Sequence, residues 1–401
     1  MPGDKRFFAA SVYQDRRRRF RSAMRELGLD GLLVASLPDL RYLCGFSGSS
    51  GLALLLPRTG WFLTDFRYRE QSTEEVVGLR TLVCPGSLGE GLREVLSRVR
   101  AGVPASGVLR APGRGKSKVN TLVLNRGSSA RRPLRIGYDP HALTCAELSL
   151  YRRELRGMAR LVPLKTGFQP LRASKSPGEV EIIKRGIEVS EAAFRETLRG
   201  LEKPATEREL ALELDFAARR LGAEAAAFET IVASGKRGAL VHARPSHRRL
   251  SGAVVVDWGV VYEGYCTDCT RTLAWGRVTD ELKKAHRAVL EARERALERV
   301  RPGARARDVD RAAREVLEKA GFGEAFGHGL GHGVGLEVHE RPHVGPRSGD
   351  VLQEGMVFTV EPGVYLPGVG GVRVEDMVRV TPSGAEVLTR LPRSLDPSDY
   401  V

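Results

Sequence analysis

A chain of 401 residues is long for one hydrophobic core and comfortable for two. Its apolar and charged fractions, 42% and 28%, are those of an ordinary globular protein, and no apolar run approaches the roughly 20 residues that cross a bilayer, so no membrane partner is expected. The net charge of +15 invites a nucleic-acid reading, yet between Glu94 and Asp139 there are ten Lys or Arg and no acidic residue, so most of the excess lies in one stretch. That stretch is rich in Gly, Ser and Pro and reads as a solvated insertion at about residues 101–133, which removes the case for nucleic acid. Met1 to Arg19 has no apolar h-region and ends in the run Arg16–Arg19, so cytoplasmic residence is the expectation. Five scattered cysteines do not suggest a disulfide framework.

In chain order, the pattern predicts a helix over 11–27, with Phe20 and Met24 inward and Arg16–Arg19 on an exposed face. A strand (31–35), a helical piece (39–43) and strands near 51–56 and 60–64 follow. Then come a helix (66–77), a strand (81–84), a helix (88–99), the basic insertion, a strand (134–138), a helix (145–156) and a strand near 161. This alternation indicates an α/β domain ending at about residue 168. A second domain, 169–401, opens at Ser176-Pro177-Gly178-Glu179, a capping box with Pro at the first helical position, and a helix runs to about Arg199. Thr206-Glu207-Arg208-Glu209 is a second capping box and starts a helix to about Leu221. Strands are expected near 230–233, 253–257 and 265–274, then helices over 280–300 and 308–320, then strands around 332–338, 356–361 and 371–380. Two blocks of paired helices followed by strands suggest a pseudo-symmetric α+β domain.

Five potential metal ligands lie in this second half: Asp257, Asp268, His332, Glu361 and Glu375. Four carboxylates crowded together repel one another unless a cation neutralises them, and two divalent ions balance the set. Asp257 closes a run of three valines, a position a bare carboxylate avoids without a partner. A hairpin turning at Tyr262-Glu263 would set Asp257 directly opposite Asp268, about 5 Å apart at Cβ. Glu361 ends an apolar strand at Pro362-Gly363, and Arg373 shares a face with Glu375, where it can pair with a ligand carboxylate. His328-Gly-Leu-Gly-His332-Gly-Val-Gly lacks the Lys-Ser/Thr and spacing of a nucleotide loop, and its glycines would ruin a helical histidine pair. Cys266 and Cys269, three apart on a strand, point to opposite faces and cannot share an ion.

Several segments resemble the pita-bread metallopeptidases, nearest to aminopeptidase P and prolidase: Asp257-Trp-Gly, Gly264-Tyr-Cys-Thr-Asp268, His328-Gly-Leu-Gly-His332, Val338-His339-Glu, Thr359-Val-Glu361-Pro-Gly363 and Gly371-Val-Arg373-Val-Glu375-Asp. Arg41-Tyr42-Leu-Cys-Gly45 and Leu63-Thr-Asp65-Phe-Arg67-Tyr68 resemble the creatinase-like N-terminal domain of that branch. The resemblance implies an α+β pita-bread catalytic domain behind a smaller creatinase-like α/β domain. It implies two divalent ions, Mn2+ before Co2+, Fe2+ or Zn2+, and hydrolysis of the bond between an N-terminal residue and a following proline in proline-containing peptides. Asp257 and Asp268 would hold one ion and His332 and Glu361 the other, with Asp268 and Glu375 bridging and a metal-bridging hydroxide attacking the carbonyl. Glu361 would shuttle the proton, and His242, His328 and His339 would attend the substrate. A homodimer or homotetramer is implied as well.

Xaa-Pro aminopeptidase is the first reading, and the Xaa-Pro dipeptidase prolidase, which shares every ligand, is the alternative. Methionine aminopeptidase lacks the extra N-terminal domain, and creatinase does without this metal set. A non-catalytic peptide-binding relative would have lost the ligands that this chain keeps. Cys269 stands where the family favours an apolar β-branched residue, and the basic insertion has no family counterpart.

Overall fold

The computed structural model describes residues 8–102, 109–110, 132–201 and 205–401, and the expected basic insertion lies almost wholly outside them. The chain divides into two compact units, Met1–Arg172 and Ala173–Val401, a few residues beyond the boundary expected at 168.

Unit 1 is an α/β domain on a seven-stranded sheet. Its strands are β1 (Gly31–Val34), β2 (Leu52–Leu55), β3 (Gly60–Thr64), β4 (Arg80–Val83), β5 (Leu109–Arg110), β6 (Leu134–Tyr138) and β7 (Ala159–Pro163), in the order β5-β4-β3-β2-β1-β6-β7. The hairpin strands β1, β2 and β3 pair antiparallel in the middle, and parallel strands extend the sheet on both sides. Its helices are α1 (Ala10–Glu26), α2 (Leu37–Cys44), α3 (Arg69–Glu75), α4 (Leu88–Ala101), α5 (Cys145–Glu154) and the single turn α6 (Gln169–Arg172). The expected helix at 66–77 is interrupted: a 3-10 turn over Phe66–Tyr68, opened by the Asp65 side chain on the Arg67 N–H, precedes α3. The Arg16–Arg19 run is not a uniformly exposed face, because Arg16 and Arg17 are buried. Helix α2 ends with free carbonyls, and these arginines supply the donors: Arg16 reaches the Tyr42 carbonyl at 3.2 Å and Arg17 the Leu43 carbonyl at 3.4 Å.

Unit 2 opens with α7 (Pro177–Gly200) and α8 (Glu207–Arg220), both started by the expected capping boxes. Strands β8 (Ala225–Ala226), β9 (Ile231–Ser234), β10 (Gly252–Trp258), β11 (Val260–Tyr262), β12 (Tyr265–Cys266) and β13 (Cys269–Trp275) follow. The second block repeats the order with α9 (Asp280–Leu297) and α10 (Ala306–Lys319), then β14 (Gly331–Gly333), β15 (Glu340–Val344), β16 (Val357–Val360), β17 (Gly363–Leu366), β18 (Gly370–Arg373), β19 (Asp376–Thr381) and β20 (Gly384–Val387). Each helix pair packs on its own block: Phe194, Leu210 and Leu214 meet Val254, Val256 and Trp258, whereas Val289, Val309 and Leu317 meet Phe358, Val360 and Val378.

Three expected strands are broken. The run 265–274 splits at Thr267-Asp268 into β12, paired with β11, and β13, paired with β10. The run 371–380 splits at Val374-Glu375 into β18, paired with β17, and β19, paired with β16. The run 332–338 stops at Gly333, where the register to β15 shifts. Glu361 likewise falls between β16 and β17, which belong to different sheets. Three of the five candidate ligands therefore sit where the chain leaves one sheet and joins another. Backbone freed from a ladder at such points can aim a side chain that regular alternation would not.

Candidate metal centre

Asp257 lies near the end of β10, whose antiparallel partner β13 is in register Asp257↔Thr270. Asp268 is therefore not directly opposite Asp257, as the assumed turn required. The turn occupies Glu263 and Gly264, both with positive φ (45° and 76°), as a tight hairpin prefers, and this moves the pairing by two residues. A two-residue shift preserves the face, so the two aspartates remain diagonal neighbours on one side. The close approach at Gly259 allows this: a Cβ there would lie 2.0 Å from the Thr267 carbonyl oxygen.

The remaining residues arrive from the second block. His332 on β14 donates its backbone N–H to the Thr359 hydroxyl oxygen at 3.1 Å, and its Nδ1 donates to the Gly333 carbonyl at 3.2 Å. Because that carbonyl can only accept, Nε2 is left with its lone pair, 3.5 Å from Asp268 Oδ2 and 3.4 Å from Glu361 Oε1. Glu361 is fixed through its backbone N–H to Leu330 O at 2.9 Å and accepts from the Thr359 hydroxyl at 3.2 Å. Glu375 accepts the Thr270 hydroxyl at 2.6 Å, and its N–H reaches Thr270 O at 3.1 Å. One donor atom each from Asp268, His332 and Glu375 lie within 4.8 Å of one another.

All five residues line one cavity of about 580 Å³, together with His242, His328, His339 and Arg373. Arg373 spreads its guanidinium over Asp257 Oδ2 (2.6 Å), the Tyr365 hydroxyl (2.8 Å) and the Thr270 hydroxyl (3.0 Å), which realises the expected carboxylate pairing. His328 donates from Nδ1 to the Gly329 carbonyl at 2.7 Å, so its Nε2 accepts the Tyr365 hydroxyl at 2.9 Å. Both of its ring nitrogens are thus engaged within the protein. His339 lies against His332, with ring centroids 4.2 Å apart, and His242 is at the exposed edge. Thr270 and Tyr365 carry no ligand signature and were not among the expected site residues. The available signal was period-two alternation, which puts Thr270 two places beyond Asp268 and Tyr365 two beyond Gly363. All five cysteines are free thiols, and Cys266 and Cys269 are buried on different strands.

The electrostatics fit a cation. Burial first, and then the charges of Glu375, Asp257 and Glu361, push the Asp268 carboxyl well above its usual range. Burial and then Glu361 and Asp257 do the same to Glu375. Burial raises Glu361 to about 8 against the relief given by Arg373. Asp257 Oδ1 is buried with no hydrogen-bond partner, an orphaned acceptor beside three strained carboxylates. Burial also lowers His332 to about 4, which keeps its ring neutral and able to ligate. An oxygen-rich set with one imidazole is a donor set for hard divalent ions.

Comparison with known proteins agrees with this chemistry. The profile of metallopeptidase family M24 matches residues 181–382, and that of the creatinase/prolidase N-terminal domain matches residues 16–174. An uncharacterized peptidase of Bacillus subtilis, YqhT, is 34% identical over 379 residues, spanning 94% of this chain and 98% of that protein. The solved structure of an Xaa-Pro dipeptidase from Bacillus anthracis is 34% identical with a TM-score of 0.84, over 96% of this chain and 99% of the other. That of an X-Pro aminopeptidase from Thermotoga maritima is also 34% identical, with a TM-score of 0.78 over 93% and 99%. Both domains and nearly the whole length are accounted for, and the chain belongs to metallopeptidase family M24, as a divalent-metal peptidase of the Xaa-Pro branch with a pita-bread catalytic domain behind a creatinase/prolidase N-terminal domain.

Proposed function

We propose that this chain hydrolyses the bond between an N-terminal residue and a following proline, as an Xaa-Pro aminopeptidase on short peptides, with Mn2+ as its metal. The observation that carries the reading is the buried convergence of four carboxylates and one neutral imidazole on a single cavity, with Asp257 Oδ1 left unpartnered. Asp257 and Asp268 would hold one ion and His332 and Glu361 the other, with Asp268 and Glu375 shared between them. Two ions so held would acidify a water and polarise the scissile carbonyl.

The chain's own groups do the rest. Glu361 takes the proton of the attacking water and passes it to the proline nitrogen as the bond breaks. His339, kept neutral by burial, offers an N–H to the developing oxyanion. His242 borders the substrate at the exposed edge of the cavity. His328 acts one step back, holding the Tyr365 hydroxyl that receives Arg373, and so fixes Asp257.

The second reading is Xaa-Pro dipeptidase, favoured by the fact that the dipeptidase structure is as similar in sequence as the aminopeptidase. Cytoplasmic residence and a homodimer or homotetramer complete the proposal; no helix among the described residues is long and apolar enough to cross a membrane. The test is hydrolysis of Xaa-Pro, Xaa-Pro-Yaa and non-proline peptides by protein reconstituted with Mn2+, Co2+, Fe2+ or Zn2+. Turnover of Xaa-Pro dipeptides alone selects the second reading. Failure on every Xaa-Pro peptide, in protein shown to hold metal, removes both.

A further inference from the structure

Glu207 opens α8 and does not line the cavity, and the hydrolytic chemistry gives it no task. It is nonetheless fully buried and ringed by donors. One oxygen accepts the Ser234 N–H at 2.8 Å and the Ser234 hydroxyl at 3.0 Å. The other accepts the Ser246 N–H at 3.0 Å, the Ser246 hydroxyl at 2.6 Å and Arg237 Nε at 3.1 Å. Two carboxylate oxygens offer about four lone-pair sites, so this group is saturated. Burial pushes its carboxyl up, but the bonds from Ser246 and Ser234 outweigh that and hold it below its usual range, so it is charged at neutral pH.

Ser234 and Ser246 are the two ends of one excursion between β9 and β10. The 3-10 turn Gly235–Ala239 leaves β9, and the chain then carries Val241, His242 and Ala243 along the cavity before it returns to Ser246. Arg237 links base to tip: with Nε on Glu207, its Nη2 donates to the Arg244 carbonyl at 2.6 Å, two residues beyond His242. The turn also lies backbone to backbone against β18, where Gly238 leaves no room for a Cβ on Gly371. We propose that Glu207 is a positioning residue for substrate binding: by clasping both ends of the loop 234–246 it holds His242 and its neighbours at the cavity, and so sets the affinity for peptide. The inference rests on the Xaa-Pro reading and adds to it a residue outside the cavity that governs KM. A loop released from this clasp must be ordered by the incoming peptide, and the ordering cost weakens binding. The five candidate ligands lie outside the loop, so the step after binding should change little.

Glu207→Gln keeps the shape but replaces one acceptor oxygen by an NH2 that must face the Ser234 or the Ser246 N–H, donor against donor. In the Mn2+-loaded full chain it should raise KM for alanylproline and alanylprolylglycine about tenfold, with kcat within about threefold and metal content unchanged. Arg237→Met spares the serine bonds and frees only the tip, so it should raise KM less, about threefold. Amide hydrogen exchange over residues 235–248 should speed up about tenfold in Glu207→Gln while β10 and β14 keep their wild-type rates. Unchanged KM in Glu207→Gln, or a loss confined to kcat or accompanied by metal release, would overturn the proposal. Exchange raised equally throughout the unit would do the same, since general destabilisation has that signature. If Glu207→Gln does not fold, KM and exchange in Arg237→Met decide alone. Wild-type protein inactive on both peptides would sink the Xaa-Pro reading, and the exchange pattern would still decide whether Glu207 clasps the loop.

Discussion

Asp257 divides its oxygens between two tasks: Oδ2 takes Arg373 at 2.6 Å, and Oδ1 is buried without a partner. Glu361 and Glu375 are held likewise, each accepting one threonine hydroxyl with lone pairs to spare. Removing one charge from such a crowd should cost chemistry rather than folding. Asp268→Asn and Glu361→Ala are each expected to lower kcat/KM by about 10³-fold or more while metal-free protein keeps its cooperative unfolding transition. Retained turnover in either variant would refute the assigned roles. Thr270 makes a subtler case, since its one hydroxyl donates to Glu375 at 2.6 Å and accepts from Arg373 at 3.0 Å. Thr270→Val keeps the shape and deletes both bonds. Metal affinity should fall roughly 10- to 100-fold, as for other groups that orient a ligand. Unchanged Mn2+ binding by calorimetry would show that Thr270 only packs.

Among the elements, the interrupted strands carry the site. In the break at 267–268 the Thr267 N–H still reaches the Val260 carbonyl, whereas the Asp268 N–H turns to Met377 Sδ, and the Asp268 side chain lines the cavity. Gly259 permits the close approach, with the Thr267 carbonyl oxygen 2.0 Å from where a Cβ would lie. Gly259→Ala must push two backbones apart, at a cost of about 1–3 kcal/mol. It should also move Asp268 away from Asp257 and lower metal stoichiometry, measurable by elemental analysis after gel filtration. Full metal content with wild-type stability would mean that the break tolerates a side chain. On the far side of Glu375, Asp376 is buried among Arg271, Arg293 and Arg393, and these ion pairs hold it well below the usual carboxylate range against the effect of burial. Neighbouring residues thus have opposite electrostatic fates, one committed to arginines and one left for the cavity.

For the whole molecule, the raised carboxylates make stability depend on pH and metal together. A carboxyl whose folded pKa is raised binds its proton more tightly in the folded state. Its contribution is therefore complete below the ordinary carboxylate value and is lost as pH rises through the folded value, about 8 for Glu361. Metal-free protein should accordingly lose thermal stability from about pH 5 to pH 8, and Mn2+ should restore it most strongly at the upper end, with protons released on binding. Midpoints measured across that range with chelator and with Mn2+ check this. A chelator effect that does not grow with pH would mean that the cluster does not govern the stability of its unit.

The separate alternation patterns of the two halves and the capping boxes at Ser176 and Thr206 were readable directly, because local spacing and cap chemistry dictate them. The five candidate ligands, which share one cavity, could be picked out as well, Asp257 and Glu361 because a carboxylate that closes an apolar run is costly to bury unless a cation or a donor meets it. The register of the β10–β13 pair was not, because it turned on which two residues take positive φ, a choice that Gly264 and the Thr267 contact settle only in the folded chain. Nor were the burial of Arg16 and Arg17, the bridging by Thr270 and Tyr365, or the placing of Arg244 at the cavity. The sequence by itself determined where most helices and strands lie and which residues are candidate ligands, since both follow from local pattern and charge. Only the tertiary structure decided which atoms meet, because hydrogen-bond partners far apart in the chain are selected by packing.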